Sequence, residues 1–265
     1  MGPKRTASRR AGAYLAPLLL ILSVILAWEV ALPLFKVAPY ILPKPSAILA
    51  EFGRSGDRLW EHTVVTTREI LIGFAAGSAI GILLAVLIAQ SRVLERSLYP
   101  IIVFLHTVPK LAIAPIFVIW FGYGLLPKVV LVVVISFFPI TVNTIYGLTS
   151  VDRNTLDLMR SVSASAWQIL KWIRIPNAVP YLFAGLKISV TLAVVGAVIG
   201  EWVGTDAGLG FAILLSATQL NTPFMFAAIT IISVIGVVLF YLVAVCERIL
   251  IPWQEPRDVA RTVET

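Results

Sequence analysis

The sequence predicts an all-α membrane protein with several transmembrane helices, and three observations support this fold class. Of the 265 residues, 59% are hydrophobic and only 13% are charged. The mean hydropathy is +0.94, which is not a value of ordinary soluble domains. The apolar runs are also long enough to cross a bilayer, which requires about 20 residues per helix. This composition excludes a soluble globular protein, and basic residues confined to short clusters argue against nucleic-acid binding.

Six stretches are predicted to span the membrane: residues 14–35, 64–89, 98–121, 126–148, 181–203 and 224–249. The first follows a basic N-terminal segment, as a secretory signal would. Its apolar part is longer than that of a signal peptide, and no small-residue cleavage site follows it. We therefore expect an uncleaved first span.

Lysine and arginine residues are distributed unevenly between the two predicted faces of the membrane. With the N-terminus in the cytoplasm, most basic clusters between the spans also fall on the cytoplasmic side, which predicts that both termini are cytoplasmic. The chain then divides into a basic N-terminus (1–13), a first helix (14–35), an external segment (36–63), a five-helix core (64–249) and a cytoplasmic tail (250–265).

Two predicted external segments contain further structure. Pro45 is a candidate start for a short amphipathic helix that continues through Phe52, in a segment whose simpler interpretation is a connector lying on the membrane surface. Residues 204–223 begin with several glycines and continue with an apolar run that is too short to span the membrane. This pattern favours a re-entrant or surface helix.

Residues 150–180, called the coupling segment below, form a polar, basic stretch between two predicted spans. Asn154 followed by Asp157 is expected to cap one short helix, and Ser165 followed by Gln168 fits a capping box for a second. Two capped helices indicate a folded element and not a flexible connector. A folded, half-apolar helical pair on a membrane surface is typical of a docking site for another protein.

No motif for enzymatic chemistry is present in the sequence. It contains no phosphate-binding loop, no zinc-protease motif and no nucleophile elbow. The only cysteine, Cys246, lies in the last apolar run, and the only two histidines, His62 and His106, are far apart in the chain. We therefore expect no catalytic residue, metal site or cofactor in this chain. Uphill transport would need an ion gradient or another subunit.

The spacings within the coupling segment match a known motif. Asp157-Leu158-Met159 is followed after three residues by Ser163, and Ile173 to Pro176 follows after nine more. This arrangement resembles the EAA motif of permease subunits from ATP-binding-cassette (ABC) importers, although several letters differ. The resemblance implies that the residues coupled to the ATPase are Asp157, Leu158, Met159, Arg160, Ser163, Ile173, Ile175 and Pro176.

Three further stretches, ILPKPSAIL (41–49), TVPKLAIAPIFVIWFGYG (107–124) and EWVGTDAGLG (201–210), resemble the nitrate, sulfonate and taurine branch of these permeases. The resemblance implies the type I ABC importer transmembrane fold in a bacterial inner (plasma) membrane. It also implies three protein partners: a cytoplasmic ATPase dimer that uses ATP and Mg, a second permease subunit that forms a homodimer with this one, and a periplasmic or lipoprotein solute-binding protein.

Three ionisable residues are candidates for the substrate path. His106 and Lys110 lie in the third predicted span, where charged groups usually face a cavity or a partner. They either favour an anionic solute, or Lys110 extends to the cytoplasmic surface. Glu201, near the predicted outer mouth, either lines the path, is solvated or caps local structure.

Two functions remain open from the sequence. The first is an ABC importer permease for nitrate, a sulfonate or taurine, with pyrimidine, thiamine-precursor and riboflavin cargo as alternatives. The second is a secondary transporter or channel driven by an ion gradient, which would need buried ionisable residues or broken helices in repeated halves.

Overall fold

The computed structural model describes the backbone of residues 5–252 and most side chains from residue 18 onward. The regular structure in this part of the chain is helical throughout, which confirms the predicted all-α class. The helices are α1 (Arg5–Leu34), α2 (Pro45–Arg54), α3 (Gly56–Ala89), α4 (Arg92–Thr107), α5 (Lys110–Phe121), α6 (Leu125–Thr149), α7 (Arg153–Ser161), α8 (Ala166–Ile169), α9 (Ile175–Val203), α10 (Leu209–Thr218) and α11 (Thr222–Leu250). A π-helical turn, Leu170–Arg174, joins α8 to α9.

Four helical stretches in the described residues are long and apolar enough to cross a membrane by themselves. These are α3, α6, the continuous stretch from α8 to the end of α9, and α11. The bent pair α4 and α5 together would make a fifth span. The predicted first span falls within α1, whose side chains are described only from residue 18 onward. The count of six spans therefore stays a prediction.

The third predicted span, residues 98–121, is not one helix. α4 and α5 meet at an angle of 95°. Val108 has an extended backbone (φ −63°, ψ 130°) because the ring of Pro109 disfavours the helical conformation in the residue before it. Pro115 lies inside α5 without interrupting it. Pro109 and Pro115 predict a disturbed helix within this span. The disturbance is found at Pro109, and the two helices together would still make one broken span.

The membrane core is built around α6, which packs against α3 on one side and α9 on the other. Gly73, Gly77 and Gly81 place three small residues at four-residue spacing on the face of α3 that meets α6. A Cβ atom on Gly77 would overlap the Ser136 hydroxyl, and one on Gly81 would lie 2.9 Å from the Phe137 carbonyl oxygen. Small residues allow helix backbones to approach closely, which is a common way to pack transmembrane helices.

Hydrogen bonds between helices fix the register of this core. The Ser189 hydroxyl of α9 donates to the Ser136 carbonyl oxygen of α6 at 2.6 Å. The Thr141 hydroxyl of α6 donates to the Gly81 carbonyl oxygen of α3 at 3.2 Å. All four residues are buried. Sliding one helix along another would break these bonds and leave buried polar groups unpaired, which is costly.

The segments at the predicted outer end are also ordered by specific contacts. α2 begins at Pro45 as predicted and extends slightly beyond Phe52. The Glu29 carboxylate of α1 accepts hydrogen bonds from the Ser46 backbone N–H (3.0 Å) and hydroxyl (2.7 Å), and so caps the start of α2. The predicted short helix within residues 204–223 is α10, which packs against α11 in an apolar cluster that includes Leu209 and Phe224.

Candidate functional sites: the coupling segment and the transmembrane path

The coupling segment begins with α7, whose first residue is Arg153. The preceding residue, Asp152, makes no capping hydrogen bond through its side chain. Asp157 lies in the middle of the helix and forms an exposed ion pair with Arg160, at 2.9 Å between Oδ1 and Nη1. The expectation that Asn154 and Asp157 cap this helix was wrong, because the helix starts before both of them.

α7 ends in a turn that explains the glycine position of the EAA motif. Ser163 has a left-handed backbone conformation (φ 57°). Its N–H donates to the Arg160 carbonyl oxygen at 2.9 Å, and the Ala164 N–H donates to the Met159 carbonyl oxygen at 3.0 Å. These two bonds form a Schellman motif, in which the left-handed residue is most often glycine because glycine has no Cβ atom to clash. Serine here keeps the turn at some cost in strain.

The second helix of the segment begins as predicted. The Gln168 N–H donates to the Ser165 hydroxyl at 3.3 Å, and the Ser165 N–H donates to the Gln168 side-chain oxygen at 2.7 Å. This reciprocal pair is a complete capping box. It fixes the direction in which the chain leaves the turn at Ser163.

The π-helical turn attaches this second helix to the membrane core. The Leu170 side chain is buried in a small cluster with Leu148 and Ala178. The Arg174 guanidinium donates to the Ala89 carbonyl oxygen, at the end of α3, at 3.3 Å. The Asn177 side-chain amide donates to a carbonyl oxygen of α6, that of Gly147, at 2.7 Å. The coupling segment is thus held to the ends of both α3 and α6.

The outer surface of the coupling segment is apolar and basic. Four large apolar side chains are each between 65% and 67% exposed: Leu158, Val162, Trp167 and Trp172. Beside them lies a groove of about 660 Å³, whose charged lining residues are Arg153, Asp157, Arg160 and Arg174. The other coupling residues predicted from the sequence, Met159, Ile173, Ile175 and Pro176, lie at the helix ends and are half-buried or slightly more exposed. A surface of this kind suits a partner with apolar and acidic groups.

His106 and Lys110 lie on either side of the bend between α4 and α5. The Lys110 ammonium donates to the carbonyl oxygen of His106, and it lies 3.5 Å from Nδ1 of the same residue. The His106 ring stacks on Phe138 of α6 with 3.7 Å between ring centroids. Both side chains are half-buried. Their place in a substrate path stays a prediction.

Glu201 is buried. It is only 1% exposed, which excludes the solvated alternative, and its hydrogen bond from Gly210 in the first turn of α10 agrees with the alternative of a local cap. Its carboxyl group accepts hydrogen bonds from the Thr66 hydroxyl (2.6 Å) and from the Gly210 backbone N–H. Next to it is a buried ion pair between Glu69 and Lys128 that was not predicted. Single charged residues near the ends of long apolar helices were the only sequence signal for this pair.

Together, the close-packed helical core and the anchored polar segment at one end define the transmembrane subunit of a transporter. Residues 77–252 match the family described as the binding-protein-dependent transport system inner membrane component, and the chain belongs to this family. It is therefore a multi-pass inner-membrane permease of the ABC transporter class and not an ion-gradient carrier. Its family works in systems that depend on a binding protein.

Several permeases are similar to this chain over almost their whole length. The chain is 37% identical to the formylaminopyrimidine transport permease protein ThiX of Halalkalibacterium halodurans, over 93% of this chain and 99% of ThiX. It is 33% identical to the riboflavin transport system permease protein RibX of Chloroflexus aurantiacus, over 86% and 85%. It is 28% identical to the taurine transport system permease protein TauC of Escherichia coli, over 93% and 91%.

The fold is also found among solved structures. An inward-facing form of the MetNI methionine ABC transporter superposes with a TM-score of 0.57 at 20% identity, covering 72% of this chain and 94% of the matched chain. A second form of the same transporter gives a TM-score of 0.59 at 19% identity, covering 75% and 97%. This likeness establishes the ABC importer transmembrane fold.

Proposed function

We propose that this permease is driven by a separate cytoplasmic ATPase that binds the coupling segment. This proposal rests on how firmly the segment is fixed to the membrane core. Its two helices are fixed by their own caps, and Arg174 and Asn177 tie the segment to the ends of α3 and α6. A rigid element attached to two spans can transmit a displacement to them, whereas a flexible linker would absorb it.

The exposed chemistry of the segment supports the same partner. Leu158, Val162 and Trp167 offer an apolar patch, and hot spots of protein interfaces are commonly built from such large side chains. The neighbouring groove carries more arginine than acidic side chains, which favours an acidic partner surface. ATP and Mg would be bound and used by the partner and not by this chain.

We propose a second copy of this chain as the other permease subunit. A symmetric ATPase dimer has two equivalent surfaces, and a homodimer of permeases would offer one coupling segment to each of them. A solute-binding protein would deliver cargo at the opposite end of the permease, where α2 and α10 lie.

For the cargo, we propose a small heteroaromatic compound of the pyrimidine, thiamine-precursor or riboflavin type. The relatives named for formylaminopyrimidine and riboflavin are 37% and 33% identical to this chain, and those named for aliphatic sulfonates and taurine are 30% or less. Sulfonates and taurine remain the second cargo class.

Co-purification of the ATPase with variants of the permease tests the docking proposal. Leu158→Asp places a charge in the apolar patch and should strongly reduce the amount of ATPase recovered. Leu49→Asp changes a similarly exposed leucine on α2, at the other end of the molecule, and should leave recovery unchanged. Equal recovery with both variants would contradict docking at the coupling segment.

Competition by unlabelled pyrimidines, riboflavin or taurine during uptake distinguishes the cargo classes.

A further inference from the structure

A buried ionic cluster lies at the end of the membrane core opposite the coupling segment. It is formed by Thr66 and Glu69 of α3, Lys128 of α6 and Glu201 of α9, and is called the outer cluster here. Thr66 and Glu69 are fully buried, Glu201 is 1% exposed and Lys128 is 5% exposed. Charged groups at such depth are costly unless they are paired, so the cluster must be balanced internally.

The charges in the outer cluster do not balance if every group is ionised. Lys128 forms an ion pair with Glu69 and also donates to the Thr205 hydroxyl at 3.2 Å. Glu201 accepts a hydrogen bond from Thr66, which lies one helical turn before Glu69, and Lys128 packs against Gly200, the residue before Glu201. Two carboxyl groups therefore lie around one ammonium group. The Oε2 atom of Glu69 has no hydrogen-bond partner in the described part of the chain. One proton on Glu201 would remove the excess charge.

Glu201 and its neighbours also hold a short backbone segment, residues 204–210, which is called the outer loop and whose last two residues begin α10. Three consecutive backbone N–H groups of this loop donate hydrogen bonds to side chains of other helices. Gly208 donates to His62 Nδ1 (3.1 Å), Leu209 donates to the Thr66 hydroxyl (2.7 Å), and Gly210 donates to Glu201.

The loop packs directly on the Glu201 carboxyl group. Gly208 has φ 112°, and a Cβ atom at this position would overlap the carboxyl atoms of Glu201. Any other residue would be both strained and displaced there. The close packing keeps water away from the outer cluster, which makes each hydrogen bond inside it stronger than it would be in water.

We propose that Glu201 is a neutral carboxylic acid and acts as a positioning residue that fastens the outer loop across the outer ends of α3, α6 and α9. The titratable and charged groups around it are His62 and Glu69 of α3, Lys128 of α6 and the exposed Asp206 of the loop. Opening the permease on this side requires the three loop N–H groups to leave their partners. The inference rests on the family membership of the chain and is independent of where the ATPase binds.

The protonation of Glu201 is tested by infrared spectroscopy of the purified permease alone. The wild type should give the carbonyl stretch of a protonated carboxylic acid at neutral pH, and Glu201→Gln should remove it. Lys128→Met should increase the band, because Glu69 loses its cation and must also take up a proton. Absence of the band in the wild type, or a band unchanged by Glu201→Gln, would overturn the assignment.

The fastening of the loop is tested by hydrogen exchange of the amides at positions 208–210, measured by mass spectrometry. Thr66→Val keeps the side-chain shape but removes the acceptor for Leu209 and the donor to Glu201, and should speed exchange about tenfold. Thr63→Val is the matched control, because the Thr63 hydroxyl bonds only to the Leu59 carbonyl oxygen of its own helix. Equal exchange in the two variants would contradict the proposal, and neither measurement requires the ATPase.

Discussion

The Arg174 guanidinium donates a hydrogen bond to the carbonyl oxygen of Ala89 at 3.3 Å, and so joins the coupling segment to the last residue of α3. A cation at the C-terminal end of a helix is also favoured by the helix dipole. The two residues are 85 positions apart in the chain. A displacement of α8 therefore reaches α3 through this contact as well as α9 through the backbone.

Replacing Arg174 should separate ATPase binding from transport. In Arg174→Met the contact with Ala89 and one of the three groove arginines are lost while the exposed apolar patch remains. ATPase recovery should therefore fall much less than uptake, which should fall about tenfold. Arg174→Lys keeps a cation that can reach the carbonyl oxygen and should retain most of the uptake. Loss of ATPase binding in Arg174→Met would show that the residue belongs to the docking surface itself.

The turn after α7 should prefer glycine. Ser163→Gly relieves a left-handed conformation and should stabilise the permease by up to about 1 kcal/mol. Ser161→Gly, two residues earlier at the last residue of α7, should instead be neutral or slightly destabilising, because the backbone there is already helical and gains nothing from glycine. Thermal unfolding of the purified protein measures both variants. A lower melting temperature for Ser163→Gly would contradict the geometry of the turn.

The contact between α3 and α6 should not tolerate a side chain at position 77. Gly77→Leu would force the helices apart and should cost about 1–3 kcal/mol. A Cβ atom on Gly53 in α2 would meet no other atom within 4 Å, so Gly53→Ala should be neutral or slightly stabilising. The amount of folded, monodisperse protein after size-exclusion chromatography compares the two. Normal yield and melting temperature for Gly77→Leu would contradict the close approach of α3 and α6 at this position.

Lys110 should stabilise the bend between α4 and α5 and not bind cargo. Lys110→Met removes the bond to the His106 carbonyl oxygen and should lower the melting temperature of the isolated permease without any solute present. Lys110→Arg should restore it. An unchanged melting temperature, combined with a loss of uptake limited to anionic solutes, would place Lys110 in the substrate path instead.

Features encoded by neighbouring residues could be predicted from the sequence. The capping box at Ser165 and Gln168 and the start of α2 at Pro45 depend only on side chains within one helical turn, and both were found as expected. The cap assigned to Asn154 and Asp157 failed, because several polar residues before α7 can each begin a helix. Pro109 signalled a disturbed helix, but its 95° bend depends on packing that no local pattern contains.

Features that depend on distant residues could not be predicted from one sequence. Thr66 and Glu201 are 135 residues apart, and only the packing of α3 against α9 brings them into contact. A lone glutamate at the end of an apolar helix is equally compatible with a solvated surface position. The glycine spacing at positions 73, 77 and 81 indicates that one face of α3 packs closely against another helix. It does not identify α6 as that helix.

Cross-linking at the coupling segment tests the central claim most directly. In a Cys246→Ser background, Val162→Cys places one thiol on the exposed face of the segment, and Leu49→Cys places one at the opposite end. A thiol-to-amine cross-linker applied to the transporter in membranes should join the ATPase to the permease through position 162 and not through position 49. Equal cross-linking at the two positions, or none at position 162 in a transporter that still imports its cargo, would contradict the account.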